Sequence, residues 1–169
     1  MMAANSGAKQ IITCESSESI ATVAEKIILE NGFSDIVTVI NKKSTELIVG
    51  TDLPQKADVI ISEVLSAEFV GEGVLSTILD ANKRLIRKAG KMLPESGDIK
   101  VALLGNSEEV SKNVLVGNVH GFNLSKFNSV MTNKFSLRLK KPPNLLSNAE
   151  KAFTFNLQNS DRLTTKEKV

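Results

Sequence analysis

The stretch SEVLSAEFVGEG (62–73) gathers three carboxylates, Glu63, Glu68 and Glu72, in a segment that is otherwise small and apolar. It grows out of ADVIIS (57–62), a continuous apolar run that reads as a strand covered on both faces, as in a parallel sheet. Glu63 and Glu72 lie nine residues apart, with Gly71 and Gly73 on either side of the second. Glycine lets a backbone turn sharply, so this spacing can bring two carboxylates together. Converging carboxylates make a poor pair unless a cation sits between them. A guanidinium fits, because its planar fork matches carboxylates in bidentate geometry. A divalent metal would recruit more oxygen ligands than the segment offers, so no metal is expected. Another assignment for Glu72, a cap for a helix beginning near Gly73, stands beside the site reading. Glu68 acquires no role.

The elements that must position these acids follow from the apolar pattern. KQIITC (9–14) is a short β-branched run, expected to be a strand, and Glu15 stands at its end. Ser16, Ser17 and Ser19 offer caps for a helix. Its face is marked by Ile20, Val23, Ala24, Ile27 and Ile28, and Asn31-Gly32 stops it. DIVTVIN (35–41) is the next strand and ADVIIS the one after. Leu75, Ile78, Leu79, Leu85 and Ile86 mark a second helix, expected to end at Ala89-Gly90, and IKVALLG (99–105) reads as a strand. The order strand, helix, strand, strand, helix, strand argues for an α/β sheet with right-handed crossovers. Beyond Gly105 the pattern weakens. Lys140-Lys141-Pro142-Pro143 suggests a boundary. AFTFNLQ (152–158) alternates Phe153, Phe155 and Leu157 on one side of a half-buried strand, and the tail from Asn159 is polar.

Composition narrows the classes. Across 169 residues, 41% are hydrophobic and 24% charged, ordinary for a soluble globular protein. A net charge of +2 with no basic stripe argues against nucleic acid, and the absence of Trp and Tyr leaves only Phe for base stacking. The single cysteine, Cys14, excludes an internal disulfide and cysteine-based zinc sites, and is expected to be a small buried thiol in a strand. No apolar run has the length of a membrane span and no signal-peptide pattern opens the sequence, so no membrane partner and a cytoplasmic setting are expected.

Ligands of open α/β sheets bind beyond the carboxyl ends of the strands, where Glu15 and Glu63 both fall. Glu15 suits a pair of ribose hydroxyls, since two oxygens can take both, and equally suits solvent near a helix N-terminus.

SEVLSAEFVGEG resembles the double-glutamate loop of the protein arginine methyltransferase family, in which two glutamates nine residues apart hold the substrate guanidinium. Glu63 and Glu72 match both positions. The GEG ending and NGFSDIVTVINKKSTE (31–46) are most similar to the arginine methyltransferase 7 branch and related bacterial proteins. SGAKQIITCE (6–15) resembles the family's passage into its second strand, which puts Glu15 at the ribose-binding acid of S-adenosylmethionine. NKKST (41–45) resembles the adenine-side loop. Ser44 matches a position whose backbone faces the adenine, Thr45 stands where many members carry an acid, and Glu46 comes one place late. VHGFNLS (119–125) resembles the entry to the family's β-barrel, and AFTFNLQ an early barrel strand.

The resemblance implies a partial Rossmann-like methyltransferase domain over 1–105, and a connection with the first strands of a β-barrel over 106–169. It implies S-adenosylmethionine as cofactor and an arginine-containing protein or peptide as substrate, and it leaves room for a homodimer. Glu63 and Glu72 would be catalytic, with Glu15, Ser44 and Thr45 at the cofactor. The family's first strand and the glycine-rich loop after it would stand before MMAANSGAKQ, and its later barrel, with a supporting histidine, beyond the C-terminal end. His120 lies too early for that role and is expected to be structural or solvated. The chain is therefore expected to be incomplete and inactive alone.

That first strand belongs in the middle of the sheet, between the strands at 9–14 and 57–62. Without it, either the sheet re-pairs, or a partner chain fills the gap, or the chain is unstable. Two other classes compete with the enzyme reading. One is a non-catalytic fragment acting through protein association. The other is a different nucleotide-binding α/β enzyme such as a dehydrogenase, for which Glu15 would serve but the loop acids would have no task.

Overall fold

The computed structural model describes residues 1–66, 69–71, 73–105, 114–131 and 144–159. Two units divide the chain. The first comprises Met1–Asp98 with Thr154–Val169, and the second Ile99–Phe153.

The first unit opens with a single helical turn, α1 (Met2–Asn5), then β1 (Ile11–Cys14) and α2 (Glu18–Glu30). Ser17 is the N-cap of α2 and Glu18 lies in its first turn, where the helix dipole favours an acid. At the far end the Asn31 side-chain amide donates to the Ile27 carbonyl at 2.8 Å, and Gly32 takes the left-handed conformation at φ +74°. β2 (Val37–Ile40) then pairs with β1 in parallel, Ile11 opposite Val37 through Cys14 opposite Ile40.

A 3-10 turn over Ser44–Glu46 leads to β3 (Ala57–Ile61), α3 (Val74–Arg84) and β4 (Ile86–Leu93). β4 returns parallel to β3. Their register slips, with Ala57 opposite Ile86 but Val59 opposite Lys91. Gly90 sits in this irregularity. A Cβ there would overlap the Ile86 side chain and stand 3.0 Å from the Asp58 carbonyl oxygen, so the close approach requires glycine.

The core of this unit is α3 laid on its surroundings. Val74, Ile78, Ala81 and Leu85 are buried with Leu47, Leu53, Met92 and Leu157, and Ile12, Cys14, Ile40 and Ile60 pack against them. Leu157 follows β8 (Glu150–Asn156), which pairs with β5 (Ser96–Val101). Its carbonyl accepts from the Asn82 side chain at 2.8 Å and its N–H donates to Glu95.

In the second unit, β6 (Asn118–Val119) and β7 (Phe122–Asn123) form an antiparallel hairpin. Its turn residues His120 and Gly121 both have positive φ, +50° and +87°, as a two-residue hairpin turn requires. His120 is exposed there. A 3-10 segment, Ser125–Val130, follows. Asn128 bonds both the N–H and the carbonyl of Val116, and Leu104 bridges Leu145.

Several expectations need correcting. The second helix ends at Arg84, not at Ala89-Gly90, and residues 86–93 are a strand. Leu85 and Ile86 continue the helical spacing, but burial at Ile86, Gly90 and Met92 follows a strand's two-residue period. β3 is not covered on both faces, since Val59 is 47% exposed and Ile61 66%. On α2 only Ala21 and Ile28 are buried, and Ile20, Val23 and Ile27 of the expected apolar face are exposed. The strand at 99–105 starts earlier and ends at Val101. The strand expected over AFTFNLQ exists, with Leu157 buried, Phe155 half-buried and Phe153 exposed. The Lys140–Pro143 boundary and Glu68 lie outside the described residues. Among those residues no helix is long and apolar enough to cross a membrane.

Within the acidic loop, Phe69 is held by an aromatic contact. Phe69 stacks on Phe155, with ring centroids 5.5 Å apart, and a Cβ added at Gly97 would overlap the Phe69 ring. Gly97→Val should therefore expel Phe69 and cost about 1–3 kcal/mol in urea denaturation. In Phe69→Ala, where the ring is gone, the same change should cost less than half as much, and equal costs in both backgrounds would contradict the packing.

Candidate functional site

β1, β2 and β3 all end at one cavity of about 650 Å³ in the first unit. Its lining includes Ile12–Ser16, Lys42–Thr45 and Ala57 with Val59–Val64. Thr77, Ile78 and Ala81 of α3, together with Leu85 just after it, Leu47 and Leu53, line the rest. The volume is within the range of small-molecule and cofactor sites. It is apolar along the strands and helix, and polar where the strands end.

Glu15 stands at the end of β1. Its Oε1 accepts the N–H of Ser17 at 2.7 Å, which holds the carboxylate at the start of α2. Its backbone is fixed on both sides, by N–H donation to the Ile40 carbonyl at 3.1 Å and by the Asn41 side chain, which donates to its carbonyl at 2.8 Å. Cys14, the preceding residue, also lines the cavity. Burial pushes its thiol above the ordinary 9.0, and the negative charge of Glu15 pushes it further.

Ser44 and Thr45 lie in the 3-10 turn at the rim. Arg84, the last residue of α3, holds that turn. Its guanidinium donates to the carbonyls of Leu47 at 2.6 Å, Thr45 at 3.0 Å and Ser44 at 3.2 Å. It also pairs with Asp80, one turn back, through two bonds of 2.6 and 2.5 Å. The Arg84 hydrogen bonds hold the Asp80 carboxyl below its usual range. Glu46 is not among the lining residues, and its carboxylate accepts the Lys43 N–H at 3.3 Å. On the same side Lys42 pairs with both oxygens of Asp52 at 2.7 and 3.0 Å. With the Ile48 N–H, this keeps the Asp52 carboxyl below its ordinary value.

Glu63 follows β3, is exposed, and lines the cavity. It makes no hydrogen bond or ion pair with any described residue. The structure thus brings Glu15, Ser44, Thr45 and Glu63 to one cavity. Glu72 lies outside the described residues, so the two-glutamate pair is not seen. Gly73, beside it, is left-handed at φ +74° and opens α3 as N-cap. Among the described residues no cluster of His, Cys, Asp and Glu could hold a metal ion.

Arg84 is the site residue that sequence reading missed. Its pairing with Asp80 has the i, i+4 spacing of a helix-surface ion pair. Its three carbonyl partners, 37 to 40 residues away, leave no local signal.

No family model matches the chain. Over 162 residues, 95% of its length, it is 36% identical to an arginine N(omega)-methyltransferase of Streptomyces achromogenes subsp. streptozoticus. It is 35% identical over 101 residues to protein arginine N-methyltransferase 7 of Aedes aegypti. The chain is a homologue of the arginine N-methyltransferases. It spans 45% of the Streptomyces relative and 15% of the mosquito one. A solved structure of the Trypanosoma brucei PRMT1 enzyme–prozyme heterotetrameric complex with AdoHcy matches it with a TM-score of 0.74 and 25% identity. That match covers 94% of this chain and 49% of the other. The fold is therefore the α/β methyltransferase fold.

Two measurements test the geometry. Arg84→Ala should cost about 1–3 kcal/mol, because charged hydrogen bonds to four partners are lost. Arg84→Lys should recover less than half, since an ammonium cannot reproduce the fork, and full recovery would remove the clamp. Alkylation of Cys14 by iodoacetamide should rise with pH only above the usual thiol range. Glu15→Gln should move the inflection down without normalising it, because burial is the larger cause. An unshifted inflection would separate the two groups.

Proposed function

We propose that this chain carries the nucleoside side of an S-adenosylmethionine site and one face of a guanidinium site. On this reading it works as part of a cytoplasmic protein arginine N-methyltransferase acting on arginine-containing proteins or peptides. One observation carries the reading: Glu15, Ser44, Thr45 and Glu63, far apart in sequence, line a single cavity at the ends of β1 to β3. The residues suit the cofactor. Glu15 keeps an oxygen beyond the one engaged by Ser17, enough to accept from ribose hydroxyls. The backbone at Ser44 and Thr45 borders the base, and Arg84 holds that backbone in place. When bound, S-adenosylmethionine supplies a methyl group on sulfonium sulfur.

The work of the chain is orientation. A guanidinium is permanently protonated and a weak nucleophile. Glu63, without a partner among the described residues, accepts hydrogen bonds from it and offsets its charge, and Glu72 is assigned the opposite side. Held this way, one nitrogen is directed at the methyl carbon, which is where positioning lowers the barrier most. A second reading, association with another protein and no catalysis, is favoured by the separation of the strands into two-stranded sheets.

The test is a chimera in which this chain replaces the matching 162 residues of the Streptomyces relative. It should methylate an arginine peptide, whereas the chain alone should not. In the chimera Glu63→Gln should lower kcat by more than about 100-fold. A folded chimera without activity, or full activity in Glu63→Gln, would refute the assignment.

A further inference from the structure

We propose that the base end of the cavity does not select for the 6-amino group of a purine, and that Thr45 and Arg84 are the residues responsible. The ligand class is then purine nucleosides in general, not adenine nucleosides alone. This rests on the nucleoside reading of the cavity and sets the specificity of that site.

A site that selects an amino group needs a hydrogen-bond acceptor aimed at it. From the segment 42–47, Lys42, Lys43, Ser44, Thr45 and Leu47 line the cavity. Most of their carbonyls are engaged elsewhere. That of Lys43 accepts the Glu46 N–H at 2.9 Å, and that of Ser44 accepts the Leu47 N–H at 3.3 Å. The carbonyls of Ser44, Thr45 and Leu47 all accept from the Arg84 guanidinium. Arg84 is not a lining residue, so the oxygens that meet it are turned out of the cavity. Asp80 holds the guanidinium in that position through its own two bonds.

The nearby carboxylates are turned away in the same manner. Glu46 accepts the Lys43 N–H, Asp52 accepts from Lys42 and the Ile48 N–H, and Asp80 accepts from Arg84. None of the three lines the cavity. Glu15 and Glu63, which do, stand at the ends of β1 and β3 and not on this turn.

What this end presents is N–H groups, two lysine side chains and the hydroxyls of Ser44 and Thr45. An ammonium only donates, and a hydroxyl both donates and accepts, so neither separates a purine with an amino group from one without. Thr45 is exposed, so an amino group beside it keeps water and is not penalised either. The Lys42 carbonyl has no donor among the described residues, and it is the acceptor through which selectivity would return if it faced the base.

The test titrates the chain as it is with adenosine and with purine riboside, which lacks only the 6-amino group. Amide NMR signals of Ser44 and Thr45 report binding, and the two dissociation constants should agree within about threefold. Thr45→Glu puts a carboxylate at an exposed position and should create a preference for adenosine of about tenfold or more. Arg84→Ala should weaken both nucleosides yet move their ratio toward adenosine by about threefold, because the released carbonyls can turn to the amino group. A tenfold preference for adenosine in the unaltered chain would overturn the proposal and leave the nucleoside site standing. So would a Thr45→Glu chain that gains no preference. Equal weakening of both nucleosides in Arg84→Ala would mean that Arg84 only holds the turn, and would remove its share. If neither nucleoside shifts these amides, the nucleoside site itself is refuted, and its proposed specificity with it.

Discussion

Apolar packing around Ile78 and Met92 joins the two strand pairs, where a continuous hydrogen-bond ladder would join them in an uninterrupted sheet. Val74, Ile78, Met92 and Leu157 are almost wholly buried, and Ile12, Cys14 and Ile40 from one pair meet Ile60 from the other around them. Burial of such side chains contributes roughly 1.5–3 kcal/mol each and is indifferent to direction. A ladder fixes register; a greasy contact does not. The unit therefore holds its strands near one another by packing, and the cavity lies where β1 to β3 end.

The polar end of the cavity is built by different means. Each loop there is tied down by a charge meeting backbone groups: Glu15 with the Ser17 N–H, Asp52 with the Ile48 N–H, Arg84 with three carbonyls. Such ties tolerate exposure because ionised partners make the stronger hydrogen bonds. They also leave Glu63 as the unengaged carboxylate among the four site positions the structure describes.

Much of this was legible in the residues, for identifiable reasons. β1, β2 and α2 announce themselves because β-branched runs and an Asn-Gly stop act locally. β4 does not. Leu85 and Ile86 extend the helical spacing, and Arg87, Lys88 and Lys91 dilute the alternation that marks a strand, so the change of period at Arg84 is hidden. The exposure of Ile20, Val23, Ile27, Val59 and Ile61 was also invisible, because hydrophobicity records what a residue would bury against, not whether that surface is present. At the site, Glu15 and Glu63 could be found from strand-end position. Ser44 and Thr45 needed the family resemblance, and Arg84 could not be found, since its partners are distant backbone oxygens.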